Sequence, residues 1–168
     1  MSFQKSLQSI VLGNDLSEQE MVDAMTEVMD GQVGDTQLAA FLTALQVKKE
    51  KVPEIVGAAK VMREKAEKVK VKASHIVDTC GTGGDGADTF NISTAVAFVV
   101  AGASVTVAKH GNRAVSSKSG SADVLKCMGV NIEASLSTVE RCIEETGIGF
   151  LFAPLMHKAM KHAATVRK

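Results

Sequence analysis

The chain has 168 residues, which is enough for one ordinary domain or for a small domain joined to part of another. Its 19 basic and 19 acidic residues give a formal net charge of zero, which argues against broad affinity for nucleic acid or membrane surfaces. No apolar run approaches the ~18 residues of a membrane span, and no signal peptide is visible. The odd, unclustered cysteines predict small buried thiols in a reducing cytoplasm. They are Cys80, Cys127 and Cys142.

Residues 1 to about 70 are predicted to be helical. Ser17-Glu18-Gln19-Glu20 has the sequence of a capping box, Asp35 is expected to cap the next helix, and Pro53 suits a first helical position. No catalytic cluster is visible here, so this part is predicted to serve packing or association. In the helix behind Pro53, the residues expected to face inward are Ile55, Ala59 and Met62.

From about residue 74 the pattern changes to alternating strands and helices, which is typical of a mostly parallel sheet. Strands are expected at 75–78, 104–108, 130–133 and 148–152, and helices at 93–102, 119–128, 137–146 and 154–167. The predicted fold is therefore α/β, with a small all-helical N-terminal domain (1–72) and a partial, mostly parallel α/β sheet domain (73–168). Ligands of such sheets bind at the carboxyl ends of the strands, where the loops 79–94 and 109–121 should meet.

The first of these loops is rich in glycine. Asp78-Thr79-Cys80-Gly81-Thr82-Gly83-Gly84-Asp85-Gly86 follows a short apolar run and precedes a predicted helix, which is an arrangement that binds anions. The spacing also satisfies the dinucleotide fingerprint, but the next strand ends in the basic Lys109-His110, where that fingerprint needs an acid. No Gly-Lys-Ser/Thr closes the loop, which excludes a P-loop nucleotide site.

The second loop carries the cations that a phosphate needs. It reads Lys109-His110-Gly111-Asn112-Arg113-Ala114-Val115-Ser116-Ser117-Lys118-Ser119-Gly120-Ser121. Ammonium, guanidinium, hydroxyl and backbone donors together suit phosphate groups. Asp85, Asp88 and Ser93 add oxygen ligands of the kind that Mg²⁺ takes alongside substrate phosphates. The residues alone therefore predict a phosphate-rich substrate bound with Mg²⁺.

Three linked motifs resemble those of the anthranilate phosphoribosyltransferase family. They are Asp78 to Gly86, Thr89-Phe90-Asn91-Ile92-Ser93-Thr94, and Lys109-His110-Gly111-Asn112-Arg113, and the opening helices also match that family's helical domain. The resemblance implies a nucleoside phosphorylase/phosphoribosyltransferase-like fold. It also implies transfer of a phosphoribosyl group from phosphoribosyl pyrophosphate (PRPP) to the amine of anthranilate in tryptophan biosynthesis, with Mg²⁺ as cofactor and no assigned acid or base.

The resemblance also implies roles for individual residues. Ser93 would contact Mg²⁺, and the other metal ligands are expected in the half of the family's chain that is absent here. The residues that would contact anthranilate are Gly81, His110, Asn112 and Arg167. Those that would bind PRPP are Gly81, Gly84, Asp85, Thr89, Asn91, Ile92, Ser93, Thr94, Lys109, His110, Gly111, Asn112, Arg113, Ala114, Val115, Ser116, Ser117 and Ser121.

Two features predict that the chain is a fragment with little or no activity. Members of the family are about twice as long, and the last predicted helix has no Gly, Asn or Pro to end it. The family also implies a homodimer formed through the helical domain. Two alternatives stay open: a relative of pyrimidine nucleoside phosphorylases, and a domain that binds nucleic acid or serves association without catalysis. The intact Lys109-to-Arg113 motif disfavours the first, and the zero net charge disfavours nucleic acid.

Overall fold

The computed structural model describes residues 2–80, 90–114 and 119–167, which form two compact units. One unit contains the residues up to Ala66 together with the segment that starts at His157. The other runs from Glu67 to Met156. No helix among the described residues is long and apolar enough to cross a membrane.

The first unit is helical, as predicted. Its core is closed by the rings of Phe3 and Phe41, whose centroids lie 5.0 Å apart. Helices α2 and α4 make the most extensive contact in this unit. The described elements are α1 (Phe3–Val11), α2 (Glu18–Met29), α3 (Asp35–Lys48), α4 (Val52–Lys65) and a 3-10 segment (Lys158–Ala163).

The start of α2 confirms the predicted capping box. Ser17 Oγ accepts a hydrogen bond from the Glu20 backbone N–H at 3.3 Å, and the Glu20 carboxylate accepts one from the Ser17 backbone N–H at 2.8 Å. Two donors that the helix cannot satisfy internally are thus paired. The prediction for α3 was off by one residue, because Gly34 is the N-cap and Asp35 is the first helical residue.

The inward face of α4 was predicted wrongly for Ile55 and Ala59, which are exposed, whereas Met62 packs against the core as predicted. Ile55 is 57% exposed, whereas Glu54 is only 1% exposed. The reason is a close backbone approach: a Cβ at Gly57 would lie 2.5 Å from the Glu18 carbonyl oxygen. Only glycine allows that contact with α2, and it rotates Glu54 and Val61 into the interior.

The second unit contains a parallel sheet with helices around it, which confirms the predicted fold class. Its described elements are β1 (Ile76–Val77), α5 (Ile92–Gly102), β2 (Thr106–Gly111), α6 (Ser121–Cys127), α7 (Leu136–Thr146), β3 (Ile148–Phe152) and α8 (Ala153–Met156). The described strands lie in the order β1-β2-β3, with Val77 opposite Val107 and Val107 opposite Ile148. All three therefore end at the same edge of the sheet.

The strand predicted at 130–133 does not form. The Val130 backbone N–H donates to the Leu125 carbonyl, and Asn131 accepts from the backbone N–H groups of Glu133 and Ala134. These bonds make a turn, in which Ile132 is buried and Val130 is 40% exposed. The prediction was wrong because one buried side chain between two polar neighbours has the same alternating pattern as a strand.

The continuous helix predicted over 154–167 is also absent. Helix α8 ends at Met156, His157 adopts non-helical angles (φ −116°, ψ 58°), and a 3-10 segment follows. The apolar side chains after His157 pack against the core of the helical unit, and among them Ala163 is 5% exposed. The predicted division at residues 72 and 73 stays a prediction, although this last segment groups with the helices.

The three cysteines correct a further expectation. Cys80, Cys127 and Cys142 are free thiols, as expected, but all three are exposed rather than buried. The apolar environment that would make them inert structural thiols is therefore missing at each position.

Candidate functional site

The candidate site lies where β1 and β2 end. Asp78 follows β1 directly, and its carboxylate accepts a hydrogen bond at 3.2 Å from the backbone N–H of His110, near the end of β2. Because both strands are parallel, the chain leaves them on the same side of the sheet. The two predicted polar loops therefore begin side by side.

Lys109 joins the two sides of the first loop. Its side chain is 3% exposed, and its Nζ donates to the Thr79 carbonyl at 2.6 Å and to Ser93 Oγ at 3.4 Å. Thr79 Oγ1 in turn donates to the Ser93 carbonyl at 2.8 Å. The residue just after β1 and the first turn of α5 are thus held together by a buried ammonium.

The electrostatic setting of Lys109 is unfavourable to its charge. Burial lowers the pKa of the ammonium, and the nearby Asp78 and Cys80 only partly oppose this. Both of its described hydrogen-bond acceptors are uncharged oxygens. An anion placed beside Nζ would stabilise the charged form, so this lysine is prepared for a negatively charged ligand.

Asn91 connects the two loops directly. It is the N-cap of α5, but its side chain makes no capping bond. Its Nδ2 instead donates to Ser119 Oγ at 2.8 Å and to the Ser119 carbonyl at 3.2 Å. The start of α5, whose helix dipole favours anions, is therefore anchored to the cationic loop. Nearby, Thr94 Oγ1 is buried without a hydrogen-bond partner among the described residues.

The second loop is folded against the start of α6. Ser121 Oγ donates to the Asn112 carbonyl at 3.4 Å, and Asn112 Oδ1 accepts from the Arg113 backbone N–H at 2.8 Å. The guanidinium of Arg113 lies 5.8 Å from the ring centroid of Phe152 and 3.6 Å from the Glu133 carboxylate. Arg113 stays half exposed, so a ligand can replace this weak surface ion pair.

The structure brings together a large part of the predicted PRPP site. The predicted residues that share this edge of the sheet are Asn91, Ile92, Ser93, Thr94, Lys109, His110, Gly111, Asn112, Arg113, Ala114 and Ser121. Others lie outside the described residues, namely Gly81, Gly84, Asp85, Thr89, Val115, Ser116 and Ser117, together with the candidate Mg²⁺ ligand Asp88. Arg167, predicted to contact anthranilate, belongs to the helical unit.

Sequence reasoning missed two residues of this region. Thr79 was part of the quoted motif without a role, yet its carbonyl and hydroxyl both contribute to the contacts around Lys109. Asp123 accepts hydrogen bonds from two backbone N–H groups of the second loop. Its signal was its position three residues after Gly120, which is the spacing of a capping box.

Comparison with known families covers most of the chain. Residues 4–66 match the model of the helical bundle domain of a glycosyl transferase family. Residues 73–168 match the model of the a/b domain of the same family. The two matches follow the change in sequence pattern near residue 70.

Individual relatives resemble the chain over nearly its whole length. The anthranilate phosphoribosyltransferase of Teredinibacter turnerae is 59% identical over 168 residues, which are 100% of this chain and 49% of that protein. The Acetivibrio thermocellus enzyme of the same name is 55% identical, over 98% of this chain and 48% of its own length. The chain thus spans about half the length of these relatives and matches their N-terminal half.

Solved structures also match this chain over nearly its whole length. The crystal structure of anthranilate phosphoribosyltransferase from Thermus thermophilus superposes with a TM-score of 0.87 at 44% identity, covering 96% of this chain and 49% of that one. The Saccharomyces cerevisiae enzyme in complex with PRPP and Mg superposes with a TM-score of 0.86 at 30% identity, covering 98% of this chain and 50% of that one. Their shared fold includes the edge of the sheet described above.

Proposed function

Because this chain belongs to the glycosyl transferase family defined by these helical bundle and a/b domains, we propose that it is the PRPP-binding half of an anthranilate phosphoribosyltransferase. The complete protein transfers the phosphoribosyl group of PRPP to anthranilate, in tryptophan biosynthesis. Relatives of this name and a relative bound to PRPP and Mg support the proposal.

The observation that carries the proposal is the buried ammonium of Lys109. It lies between the end of β1 and the first turn of α5, and it is bonded only to neutral oxygens among its described acceptors. Burial lowers the pKa of Lys109 and removes water from its ammonium. A pyrophosphate at this edge of the sheet can therefore accept a charge-assisted hydrogen bond from a weakly hydrated cation. Arg113 supplies further donors from the second loop, to which Asn91 anchors the start of α5.

The chemistry requires position more than proton transfer. The amine nitrogen of anthranilate forms a bond to the anomeric carbon of the ribose while the bond from that carbon to pyrophosphate breaks. Pyrophosphate leaves with the electron pair, and the nitrogen then loses one proton to water. Fixed donors beside the leaving group stabilise its developing charge, and binding both substrates in line supplies the rest.

Mg²⁺ supplies further neutralisation of the leaving pyrophosphate when it is bound. Among the described residues, no group of three or more His, Cys, Asp or Glu could hold a metal ion. The expected ligand Ser93 has its Oγ 3.4 Å from the Lys109 ammonium, which repels a bare cation. We therefore propose that Ser93 would hold Mg²⁺ together with pyrophosphate oxygens, whose negative charges would offset those of the metal and of the Lys109 ammonium.

The contacts to anthranilate remain proposals for His110, Asn112 and Arg167. The first two lie at the end of β2, beside the proposed pyrophosphate site. The third is exposed at the end of the helical unit, and its guanidinium suits the carboxylate of anthranilate. Gly81, the fourth proposed contact, lies outside the described residues.

Calorimetric titration with PRPP tests this function. We expect binding that strengthens when Mg²⁺ is present, whereas Mg²⁺ alone produces no binding heat. Absent binding, or binding that is indifferent to Mg²⁺, contradicts the proposal. In turnover assays with anthranilate, PRPP and Mg²⁺ we expect little or no product, and a rate typical of a full-length enzyme would refute the fragment hypothesis. Phosphorolysis of a pyrimidine nucleoside, or a salt-sensitive gel shift, would favour the two alternatives.

We also propose that the helical unit forms a homodimer. Leu12, Val47 and Val52 lie at the ends of three of its helices and are 73–78% exposed, which is unusual for large apolar side chains. Sedimentation velocity should show a dimer, and replacing Val47 and Val52 together by Glu should give a monomer that still binds PRPP. A monomeric wild-type chain contradicts the proposal. The free thiols agree with a reducing cytoplasm as the proposed location.

A further inference from the structure

Asp123 links two parts of the second loop through hydrogen bonds. It lies in the first turn of α6, and its Oδ2 accepts hydrogen bonds from the Ala114 backbone N–H at 2.9 Å and from the Gly120 backbone N–H at 2.8 Å. Ala114 directly follows Arg113, and Gly120 directly precedes Ser121. One carboxylate oxygen thus joins the backbone next to Arg113 to the backbone at the start of α6.

The surrounding backbone leaves little freedom at this point. A Cβ at Gly120 would lie 2.4 Å from the Ala114 nitrogen and 2.6 Å from the Asn112 carbonyl oxygen, so only glycine allows this approach. The Ala122 backbone N–H also donates to the Asn112 carbonyl at 3.1 Å. Residues 112–114 are therefore attached to the start of α6 by several independent contacts.

A carboxylate beside a phosphate site needs an explanation, because it repels the ligand. The two backbone N–H groups hold the pKa of Asp123 below its usual range, and the charges of Arg113 and Lys126 act in the same direction. The carboxylate therefore stays ionised and occupies two backbone donors that a phosphate could otherwise use. With these two N–H groups occupied, a prominent donor that the described part of this stretch offers to a ligand is the guanidinium of Arg113.

We propose that Asp123 is a positioning residue, which fixes the backbone directly after Arg113 by holding the Ala114 and Gly120 N–H groups together, so that the Arg113 side chain, and not either of these N–H groups, meets the phosphates. This inference rests on the proposed PRPP site and assigns a role to a residue outside it. It also predicts that Ala114, expected above to bind PRPP, contributes no backbone hydrogen bond to the ligand.

The first test follows the two amides by NMR in the chain without ligand. In the wild type, the Ala114 and Gly120 amide protons should exchange slowly and shift together when the carboxylate is protonated in acid. In Asp123→Ala both should lose protection by about tenfold or more. In Asp123→Asn, which keeps an acceptor oxygen, the loss should be partial. The inference would be overturned if the exchange of both amide protons were unchanged in Asp123→Ala. It would also be overturned if PRPP displaced the carboxylate in the wild type and accepted hydrogen bonds from these two amides itself.

The second test measures PRPP binding in the presence of Mg²⁺. We expect about tenfold weaker binding for Asp123→Ala and a smaller loss for Asp123→Asn. The control is Ser135→Ala, which removes the N-cap hydrogen bond that the Thr138 backbone N–H of α7, in the same unit, donates to Ser135 Oγ. This control should lower thermal stability while affinity stays at the wild-type value.

The outcomes separate the two proposals. If the wild type does not bind PRPP, the proposed function fails, and the amide measurements still decide whether Asp123 fixes the loop. If the wild type binds and Asp123→Ala binds equally well, the positioning role is wrong. If Ser135→Ala weakens binding as much as Asp123→Ala, general loss of stability explains the effect and the positioning role is again wrong. Should Asp123→Ala fail to fold, Asp123→Asn decides by the same criteria.

Discussion

Among the described residues, the most deeply buried charged residues of the two units, Glu54 and Lys109, have opposite kinds of partners. In the helical unit, Glu54 is 1% exposed and accepts hydrogen bonds from the backbone N–H groups of Leu16 and Lys51 and from the Lys48 ammonium. In the α/β unit, Lys109 is 3% exposed and donates to two uncharged oxygens. The acid has an ammonium and two backbone donors as partners, whereas both described acceptors of the base are uncharged.

The difference separates a structural charge from a functional one. Burial alone raises the pKa of Glu54, but its three donors outweigh burial and hold the pKa below its usual range. At Lys109 burial dominates and the pKa is lowered, so the folded protein disfavours the charge it carries there. A charge that the fold leaves undercompensated is the one that a ligand of opposite sign can stabilise.

The largest expected effect is on stability, from Glu54→Gln. The substitution keeps the shape but removes the charge, and the new amide nitrogen faces N–H donors that it cannot accept from. We expect the free energy of unfolding to fall by about 3 kcal/mol, measured by urea denaturation. PRPP affinity of the remaining folded protein should stay unchanged. A loss below about 1 kcal/mol would mean that the carboxylate contributes little more than an exposed one.

Lys109→Met should weaken PRPP binding and leave stability nearly unchanged, which is the reverse of the result expected for Glu54→Gln. We expect PRPP binding to weaken about 100-fold, because a desolvated cation is lost from the pyrophosphate site. The free energy of unfolding should change by less than about 1 kcal/mol, since the variant loses two hydrogen bonds but no longer buries an undercompensated charge. Calorimetry and urea denaturation on the same preparation measure both quantities. Strong destabilisation with unchanged affinity would assign Lys109 to the structural class and remove the main support for the proposed function.

The pH dependence of stability sharpens the contrast further. The folded-state pKa of Glu54 lies below its unfolded value, so its stabilisation is complete above about pH 4.3 and is lost as pH falls through the folded value. Lys109 has a folded-state pKa below the unfolded value of about 10.4, so stability rises with pH between the two. The gap between wild type and Glu54→Gln should shrink in acid, and Lys109→Met should lack the alkaline rise. Identical profiles for the wild type and both variants would contradict these assignments.

Local sequence rules predicted several of the folded elements correctly. The capping box at Ser17 and the strand over Ile148–Phe152 were predicted at their observed positions. The rules failed where distant contacts decide. The backbone contact at Gly57 turned α4 so that Ile55 faces outward and Glu54 inward, and nothing in the period of the helix reveals that rotation. A local contact also misled the prediction, because the hydrogen bonds that Asn131 accepts from Glu133 and Ala134 make a turn out of an apparent strand.

The candidate site shows the same limit. The composition of its two loops predicted a phosphate ligand, and residues from both loops share one edge of the sheet. The sequence placed Lys109 at the start of a polar loop, where a lysine is usually exposed, whereas the structure places it within β2 and buried. The sequence also could not single out Asp123, since the contacts with Ala114 and Gly120 exist only after the loop has folded back on α6. Residue types predict the chemistry of a ligand, but the burial of each side chain decides which charged group that ligand contacts.

The smallest expected effect compares an exposed ion pair with the buried one inside the helical unit. Lys60 pairs with Glu18 between α4 and α2, but its side chain is 61% exposed. Lys48 pairs with Glu54 at 2.9 Å, and its side chain is 7% exposed. We expect Lys60→Met to lower the free energy of unfolding by about 0.5 kcal/mol or less, because water already solvates both partners. Lys48→Met should cost about 2 kcal/mol, since it leaves the Glu54 carboxylate buried without its cation.

Urea denaturation of both variants in low and high salt measures this, and only the Lys60→Met difference should vanish in high salt. Equal losses in the two variants would show that burial does not set the strength of these pairs, and the contrast between Glu54 and Lys109 would then need another cause.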